Sequence, residues 1–403
     1  MKAVSLFSGC GGFCEGVRAA GVDVVAAVEL DRFAAETYRA NFPETPLHEG
    51  DVASFLSDSK TANLFLAEHP EIDFVFGGPP CQGFSQIGPR NLEDERNQLY
   101  TEFGRIVSAL RPRFFLMENV PNLVLMQKGF FKNKILKYFR KIGYADTSVL
   151  HVSAADFGVP QARNRVFFVG IRDGLNSSAA FGKLVSEHLK AQMVKQPTTV
   201  WQALSDLPPD VVQSGEVMSY PSCRNPSAFQ REMRLRLNGD IYSAEYKKLA
   251  LGAAQFGLHN HHTKEIQKRR QHLISLLEPG KKGDSLPAHV WNGKRPEKWR
   301  RLHPDLPSYT ILAQMHRDLS EWVHPKEERW ITVREAARLQ SFHDGFVFYG
   351  SEWQQLKQVG NAVPPLLARA MAVAASKAAS QFVDGEPIQF HDDLFEAYEV
   401  AAE

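Results

Sequence analysis

The first 173 residues alternate short apolar runs with stretches of helical periodicity, and this alternation constrains the fold more than any other feature. The candidate strands are Ala3–Phe7, Val24–Val28, Phe74–Phe76, Phe114–Met117 and Val166–Val169. Amphipathic stretches lie between them, at Cys14–Ala20, Arg32–Asn41 and Asn97–Leu110. Apolar strands that alternate with helices predict an α/β fold, a doubly wound and mostly parallel sheet covered on both faces. Ligands of such a sheet are expected at the carboxyl ends of its strands.

The alternation stops near Gly174, where prolines begin to interrupt short segments without clear periodicity. Helical spacing returns at Val333–Phe342 and Leu366–Ala379. We therefore predict a discontinuous main domain formed by residues 1–173 and 326–380. Residues 174–325 are predicted to form a smaller, irregular domain, and residues 381–403 an acidic tail.

The net charge of +1 conceals an uneven distribution along the chain. Residues 1–173 carry 19 basic and 20 acidic side chains, residues 174–325 carry 21 and 14, and residues 326–403 carry 7 and 12. A basic excess confined to one domain indicates contact with a polyanion there. From charge alone, a solvated basic surface is an equally good interpretation.

Four cysteines in 403 residues exclude a disulfide scaffold. Cys10 and Cys14 have no second ligand pair at zinc spacing, so we predict no metal site. No apolar run reaches the ~20 residues that span a bilayer, and no cleavage site precedes the first strand. We therefore expect a soluble, reduced, cytoplasmic protein with no membrane contact.

A glycine-rich turn, Phe7-Ser8-Gly9-Cys10-Gly11-Gly12, follows the first candidate strand. Glu29 ends the next strand, at the position from which an acidic side chain accepts hydrogen bonds from a ribose. Asp51 follows one crossover later and is placed to contact an adenine amino group; capping a helix is the alternative. These residues together indicate a nucleoside-bearing cofactor. Because the spacing is not GxGxxG, a cofactor without a pyrophosphate fits as well as one that carries it.

Cys81 follows the strand Phe74–Phe76 and a stiff double proline, Pro79-Pro80. Buried cysteines are usually inert small hydrophobes. A cysteine at the carboxyl end of a strand, near a helix N-terminus or a cation, would instead be nucleophilic.

The run Pro79-Pro80-Cys81-Gln82-Gly83-Phe84-Ser85 resembles the nucleophile loop of the cytosine-5 DNA methyltransferases. Other segments resemble further blocks of that family, in the same order. They are Phe7–Gly12, Val28-Glu29-Leu30, Gly50-Asp51-Val52, Glu118-Asn119-Val120, Gln161-x-Arg163-x-Arg165, Thr332–Phe342 and Gln358–Pro365. The sequence departs from the family pattern at His343, where proline is usual, and at Phe13-Cys14-Glu15.

The resemblance implies a Rossmann-like S-adenosylmethionine-dependent methyltransferase domain with a smaller target-recognition domain. Cys81 would add to carbon 6 of cytosine, and Glu118, kept protonated by burial, would act as the acid at nitrogen 3. Arg163 and Arg165 would line the cytosine pocket. Alternatively, Glu118 would cap a helix, and the two arginines would form ion pairs at the surface. The cofactor would be held by Phe7, Gly9, Gly11, Gly12, Glu29, Leu30, Asp51, Val52, Pro79, Asn361 and Val363.

Methylation of carbon 5 requires a base flipped out of double-stranded DNA, so residues 174–325 are the expected DNA-binding domain. Within it, the resemblance marks Thr310-Ile311-Leu312 as part of the recognition region. Eleven basic residues lie between 260 and 301: Lys264, Lys268, Arg269, Arg270, Lys281, Lys282, Lys294, Arg295, Lys298, Arg300 and Arg301. We expect a bacterial or phage-encoded monomer, and any cognate restriction endonuclease is expected to act separately.

Three alternatives remain open from the sequence. A tRNA cytosine methyltransferase would share the fold, although the Gln82–Ser85 run and the basic domain favour DNA. A DNA-occupancy regulator without catalysis is opposed by the presence of Cys81 and Glu118. A nicotinamide oxidoreductase is opposed by the glycine spacing.

Overall fold

The computed structural model describes residues 1–80, 99–177, 179–219, 223–234, 257–291, 299–313 and 321–384. Its centre is a seven-stranded sheet with strand order β3-β2-β1-β4-β5-β7-β6. The strands are β1 (Lys2–Leu6), β2 (Asp23–Glu29), β3 (Leu47–Glu49), β4 (Phe74–Gly77), β5 (Phe114–Asn119), β6 (Asp146–Ser153) and β7 (Asn164–Ile171). Neighbours from β3 to β5 pair in parallel, whereas β7 is antiparallel to both β5 and β6. The predicted doubly wound, mostly parallel α/β fold is confirmed.

Helices connect these strands and extend beyond them. In chain order the first seven are α1 (Gly12–Ala19), α2 (Arg32–Asn41), α3 (Ser59–Glu68), α4 (Leu99–Leu110), α5 (Asn122–Leu125), α6 (Phe130–Lys141) and α7 (Phe181–Lys190). The others are Val200–Leu204, Ala228–Met233, Lys268–Ser275, Val333–Leu339, Glu352–Asn361 and Pro365–Ala379. Short 3₁₀ turns occur at Val52–Ser54, Met126–Gly129, Ala154–Phe157 and Gly283–Ser285.

All five candidate strands exist, and each candidate amphipathic stretch contains a helix. Asn97, at the start of the third stretch, lies outside the described residues. The sequence patterns did not identify β6 or α6. The residues of β6 are mostly half-buried, begin with three polar side chains and lack the continuous apolar character that marks the central strands.

Two apolar cores cover the two faces of the sheet. In β5, Phe114 and Leu116 point into the first core, which also contains residues of α1, α7 and Pro365–Ala379. Phe115 and Met117 point to the opposite face, into the second core. There the Phe115 ring stacks on Phe139 of α6, with ring centroids 4.1 Å apart. The layered packing holds the carboxyl ends of the strands at one rigid edge.

The smaller region has a core of its own, formed by Ile274, Leu277, Leu286, Trp299, Val323 and Trp330. Two short strands, Trp299–Arg301 and Glu321–Val323, pair beside it in parallel. However, α7 packs on the main sheet, and Leu175–Asn176 pairs with Val383–Asp384. The predicted division at residue 174 therefore stays a prediction, and this packing favours a boundary after α7. Residues 385–403 of the predicted tail lie outside the described residues.

In the described part of the chain, no helix combines the length and the apolar character that a membrane crossing requires.

Candidate active site

The order of strands reverses between β1 and β4, and the candidate residues gather at the edge formed by the carboxyl ends of the parallel strands and the amino end of β7, which is antiparallel to β5. Cys81 itself lies outside the described residues, but the chain leading to it, Gly78–Pro80, is described. A Cβ on Gly78 would stand 2.9 Å from Glu118 Oε2, so a larger residue here would require the Glu118 carboxylate to shift. The route to Cys81 therefore passes directly against the Glu118 carboxylate.

Asn119, next to Glu118 at the end of β5, fixes this route further. Its Nδ2 donates a hydrogen bond of 3.1 Å to the Pro79 carbonyl oxygen, and its Oδ1 accepts one from the Val120 amide. Because Asn119 is buried, breaking the bond to Pro79 would leave polar groups unsatisfied. Asn119 is a positioning residue that the sequence analysis did not single out, although it lies in the quoted Glu118-Asn119-Val120 block.

Glu118 forms an ion pair with Arg165, whose Nε lies 2.7 Å from Glu118 Oε1. The two side chains are 13% and 12% exposed, so the pair is mostly buried but keeps some surface accessible to solvent. We call Gly78, Glu118 and Arg165 the cleft. Arg165 Nη1 donates to the Asn164 carbonyl oxygen, and Nη2 has no partner among the described residues. A donor therefore remains for a substrate atom, whereas protonation of Glu118 stays a prediction.

Burial lowers the pKa of the Arg165 guanidinium, and the neighbouring Glu118 carboxylate opposes that shift. When Glu118 is ionised, its negative charge therefore helps to keep Arg165 a cation in a partly desolvated position. A guanidinium held in this way can donate to an oxygen on which negative charge develops.

Arg163 has a different environment, although it is only two residues away. It is buried, with Nη1 donating to the Ile311 carbonyl oxygen at 2.9 Å. Nη2 donates to the carbonyl oxygens of Gly360 at 3.0 Å and Ala362 at 2.9 Å. We call Arg163 and these three carbonyls the junction. The geometry gives Arg163 a positioning role, unlike the catalytic role implied by resemblance, which stays untested.

Two glutamines extend the junction. Gln161 Oε1 accepts from the Ile311 amide at 2.8 Å, and its Nε2 donates to Gln340 Oε1. Gln340 in turn donates to the Ala362 carbonyl oxygen at 2.8 Å. Both glutamines are fully buried. They lie within quoted sequence blocks, but their pairing joins positions 179 residues apart and has no local signal.

On the cofactor side of the edge, Glu29 is held by the backbone. Its Oε2 accepts from the Gly9 amide at 2.6 Å and its Oε1 from the Asp31 amide at 2.7 Å. Burial raises the pKa of Glu29, and these two amides partly oppose the shift. A carboxylate has about four acceptor positions, so two hydrogen bonds leave capacity for a ligand hydroxyl. The structure thus brings the glycine-rich turn and Glu29 together.

The other predicted cofactor residues differ in exposure. Asp51 is exposed and accepts a hydrogen bond of 2.8 Å from the Ala53 amide, so the capping alternative is present in the structure. Its predicted contact with adenine stays a prediction. Val52 is buried, whereas Leu30 is 68% exposed. Phe7 is half-buried and has a left-handed backbone with φ of 54°.

The C-terminal block returns to the first helix, as its assignment to the cofactor site required. A Cβ on Gly12 would stand 2.7 Å from the Val363 carbonyl oxygen and 3.0 Å from Ala362 Cβ. Asn361, just before this contact, is exposed. Gly11 and Gly12 thus belong to a turn that is closed on one side by Ala362 and Val363.

The two departures from the family pattern lie in contact. His343 Nε2 is 3.1 Å from Glu15 Oε1, and both side chains are buried. The pair joins α1, which follows the glycine-rich turn, to the segment after Val333–Leu339. The two departures from the family pattern therefore form one buried contact.

Two predictions for the smaller domain are refined by the structure. Ile311 is buried in the junction, and Thr310 Oγ1 donates to the Ala162 carbonyl oxygen at 2.8 Å, so this segment is anchored to the main domain. Arg301, counted among the candidate DNA-contacting cations, is buried and donates to backbone carbonyls that include those of Leu277 and Lys326. Lys268 and Lys281 are exposed, whereas Lys294, Arg295 and Lys298 lie outside the described residues.

Burial raises the pKa of the Cys14 thiol to about 11 and that of Cys10 still further. Neither is therefore an activated nucleophile. Within the described ranges, no group of three or more His, Cys, Asp or Glu side chains has an arrangement that could hold a metal ion.

Comparisons with known proteins agree with this geometry. The model of the C-5 cytosine-specific DNA methylase family matches residues 1–377. The type II methyltransferase M.AgeI of Thalassovita gelatinovora is 34% identical, over 92% of this chain and 98% of the relative. M.DdeI of Desulfomicrobium norvegicum is 33% identical, over 92% of this chain and 88% of the relative.

Solved structures give the same fold. A chain described as a prophage-encoded DNA modification methyltransferase of E. coli has a TM-score of 0.73 and 29% identity, covering 94% of this chain and 99% of that one. The S. pombe Dnmt2 methyltransferase has a TM-score of 0.56 and 17% identity, covering 94% of this chain and 99% of that one. At this identity the likeness supports the fold alone.

Proposed function

The chain belongs to the C-5 cytosine-specific DNA methylase family, and from this premise we propose that its cleft transfers a methyl group to carbon 5 of a flipped-out cytosine in a specific duplex sequence. In this proposal Cys81 is the nucleophile, Glu118 the acid and Arg165 the donor to the base. Arg163 positions these groups without touching the substrate.

One observation carries the proposal: the chain that leads to Cys81 is tied to the end of β5, where Glu118 lies. Gly78 stands against the Glu118 carboxylate, and Asn119 bonds the Pro79 carbonyl oxygen. A nucleophile and an acid that attack neighbouring atoms of one ring must lie within a few ångströms of each other. The loop entry and the acid are held together without help from substrate.

The chemistry follows from the weak nucleophilicity of cytosine carbon 5. The Cys81 thiolate adds to carbon 6 while Glu118 gives a proton to nitrogen 3, and electron density moves to carbon 5. S-adenosylmethionine, when bound, supplies the electrophilic methyl group. Loss of the carbon 5 proton to a base, return of the nitrogen 3 proton to Glu118 and departure of the thiolate restore the aromatic ring. Arg165 Nη2 is the donor available to the base oxygen.

The family uses S-adenosylmethionine, and the residues present fit that molecule. No other described atom lies within 4 Å of where a Cβ on Gly9 would stand, so the turn leaves open space beside the Glu29 carboxylate. We propose that Glu29 binds the ribose hydroxyls, with Leu30 beside it. In the same proposal, Asp51 and Val52 contact the adenine, Phe7 and Pro79 pack on the ligand, and Gly11, Gly12, Asn361 and Val363 enclose its methionine end.

Residues 174–325, with their net charge of +7, are proposed to position the duplex and to read its sequence. The anchoring of Thr310 and Ile311 on the main domain supports this proposal, because it fixes the smaller region relative to the cleft. Base flipping costs a few kcal/mol, which contacts on both sides of the duplex would offset.

The biological setting is proposed from the relatives, which are type II methyltransferases. We propose a restriction-modification role in a bacterial or phage-encoded system, with a cognate endonuclease that acts separately. In this setting the protein would act as a cytoplasmic monomer on double-stranded DNA.

Methyl transfer from labelled S-adenosylmethionine to duplex DNA and to tRNA, measured side by side, tests the proposal. We expect label in DNA only, and sequencing of DNA from an expressing host should place 5-methylcytosine in one recurring sequence. Label in tRNA alone, or on a cytosine atom other than carbon 5, would contradict it.

A further inference from the structure

We propose that a basic surface on α6 and the turn before it, on the main domain, contacts phosphates of the same DNA duplex outside the smaller domain. This inference rests on the proposed function, because it assumes that DNA is bound at the cleft. It adds a second contact surface on the side of the molecule where the overall charge gives no reason to expect one.

Charge is the first observation. Residues 120–141 contain six basic side chains and no acidic one, whereas the rest of residues 1–173 contains 13 basic and 20 acidic ones. The six are Lys128, Lys132, Lys134, Lys137, Arg140 and Lys141. Five are exposed, and Lys132 is half-buried. In the part of the chain that the structure describes, none of the six forms an ion pair, so their charge faces solvent without compensation.

The face of α6 that carries this charge is opposite to its buried face. Ile135 and Phe139 are buried in the second core, and the Tyr138 hydroxyl donates to the Thr101 carbonyl oxygen of α4. These contacts fix the rotation of the helix about its axis.

Lys134, Lys137 and Lys141 follow Phe130 at intervals of four, three and four residues, which places all four on one side of the helix. All four are exposed, Phe130 by 56% of its surface. At 1.5 Å per residue the row is about 16 Å long. A row of this length spans several phosphates along a duplex, which carries a charge every ~1.7 Å of axis.

The row begins beside the cleft. Glu118 is the second-last residue of β5, and only the strand end, α5 and one turn separate it from Phe130. In that turn Gln127 and Lys128 both have left-handed backbones, with φ of 46° and 54°. Each such residue costs roughly 1 kcal/mol, so the turn holds an exposed lysine outward at an energetic cost. Leu125, 66% exposed, lies on the other side of the turn.

A solvated face is the simplest alternative for a charged helix, but such faces usually mix charges of both signs. This row carries positive charge only and starts at the edge of the sheet where the cleft lies. It therefore has the charge and the position to bind phosphates of the duplex whose target base enters the cleft. The continuity with the cleft selects duplex DNA as the occupant.

The test replaces Lys134, Lys137 and Lys141 together by glutamine, which keeps helix propensity and removes three charges. Binding to a duplex containing the target site is measured from 50 to 300 mM salt, roughly the range in which such slopes are determined. We expect the slope of log K against log salt to become shallower by about 2.7, because each lost phosphate contact removes about 0.9. The KM for DNA should rise, with kcat and cofactor affinity unchanged.

A matched control removes three exposed lysines from the opposite face of the sheet, Lys183→Gln, Lys190→Gln and Lys377→Gln. It should leave slope and KM close to those of the wild type. The triple arginine variant at 134, 137 and 141 keeps the charge and should also resemble the wild type.

Equal slopes of log K against log salt for the glutamine variant and the control would overturn the inference. The proposal that the protein methylates DNA would be unaffected by that result. An effect on methylation of tRNA but not of DNA would also overturn it. If the wild-type protein transferred no methyl group to any DNA, the proposed function itself would fail, and the two failures are therefore distinguishable.

Discussion

Arg163 and Arg165 are separated by one residue, yet the structure uses them in opposite ways. In the junction, Arg163 is buried and its two terminal nitrogens are satisfied by three backbone carbonyls. In the cleft, Arg165 is partly exposed, pairs with the Glu118 carboxylate and keeps one nitrogen without a partner in the described part of the chain. The closed set of hydrogen bonds on the terminal nitrogens of Arg163 stabilises one arrangement of the backbone, although its buried Nε has no hydrogen-bond partner among the described residues. The open set on Arg165 leaves capacity for a substrate.

The comparison predicts two kinds of variant. Changes in the cleft should slow methyl transfer without reducing stability, because the groups there are not needed to satisfy the fold. Changes in the junction should reduce stability first, because they leave buried carbonyls unsatisfied.

Glu118→Gln should have the largest effect. A missing acid at nitrogen 3 is expected to lower kcat by about 10³-fold, within the usual range for general acid catalysis. The midpoint of thermal unfolding should not fall, since the side chain is only partly buried. Single-turnover methylation of a target duplex measures the first quantity and calorimetry the second. A loss of less than about tenfold would remove Glu118 from the mechanism.

Arg163→Met keeps the volume of the side chain but removes the Arg163 donors to the three carbonyls, of which only that of Ala362 keeps another donor among the described residues, Gln340 Nε2. We expect the free energy of unfolding to fall by about 3 kcal/mol, because buried acceptors lose their partners. Urea denaturation gives this value. An unchanged stability with a reduced kcat would instead support the catalytic role that the sequence resemblance implied.

Arg165→Gln should reduce kcat by about 100-fold, the usual effect of removing one charged donor from a developing anion. Arg165→Lys keeps the charge but loses the planar fork that reaches Glu118 and the base together, so it should restore only part of the activity. Stability should match the wild type in both variants. A stability loss as large as that of Arg163→Met would show that the two arginines are not distinct.

The smallest predicted effect concerns another closed group, the buried ion pair of Arg329 and Glu335. Burial alone would raise the pKa of Glu335, but the Arg329 charge lowers it from 4.5 to about 2. Its stabilising contribution is therefore present above about pH 4.5 and is lost as pH falls toward 2. Between pH 5 and pH 3 this amounts to about 2 kcal/mol.

Chemical denaturation of the wild type and of Glu335→Gln across that pH range measures the difference. The variant should be less stable at neutral pH and should lose less stability in acid. Parallel pH curves for the two proteins would contradict the assignment.

The sequence predicted the parts of the fold that depend on local patterns. The central strands are continuous apolar runs, and Arg32–Asn41 matches a helix at both ends. β6 was missed because this half-buried edge strand has too many polar residues to form a continuous apolar run. The end of β3 was inferred correctly from the position of Gly50-Asp51-Val52.

Sequence motifs identified the candidate site residues themselves. They did not indicate which distant segments of the chain contact those residues. Glu118 and Arg165 lie at one edge because β7 is antiparallel to β5, and no sequence pattern indicated this reversal of direction. The three carbonyls that bind Arg163 come from positions 148 to 199 residues away, and no local pattern indicates them. The contact between Glu15 and His343 was equally unpredictable. Each residue visibly departs from the family pattern in the sequence, but nothing there indicates that the two side chains pair.

In the proposed mechanism Cys81, which follows the described segment Gly78–Pro80, bonds covalently to the target base. Incubation with S-adenosylmethionine and a duplex that carries 5-fluorocytosine at the target tests it, because fluorine at carbon 5 blocks release of the enzyme. The account predicts a covalent adduct for the wild type and for Cys223→Ala, a control at a cysteine of the smaller domain. Cys81→Ala should bind the duplex but form no adduct. An adduct formed by Cys81→Ala, or none formed by the wild type, would contradict the account.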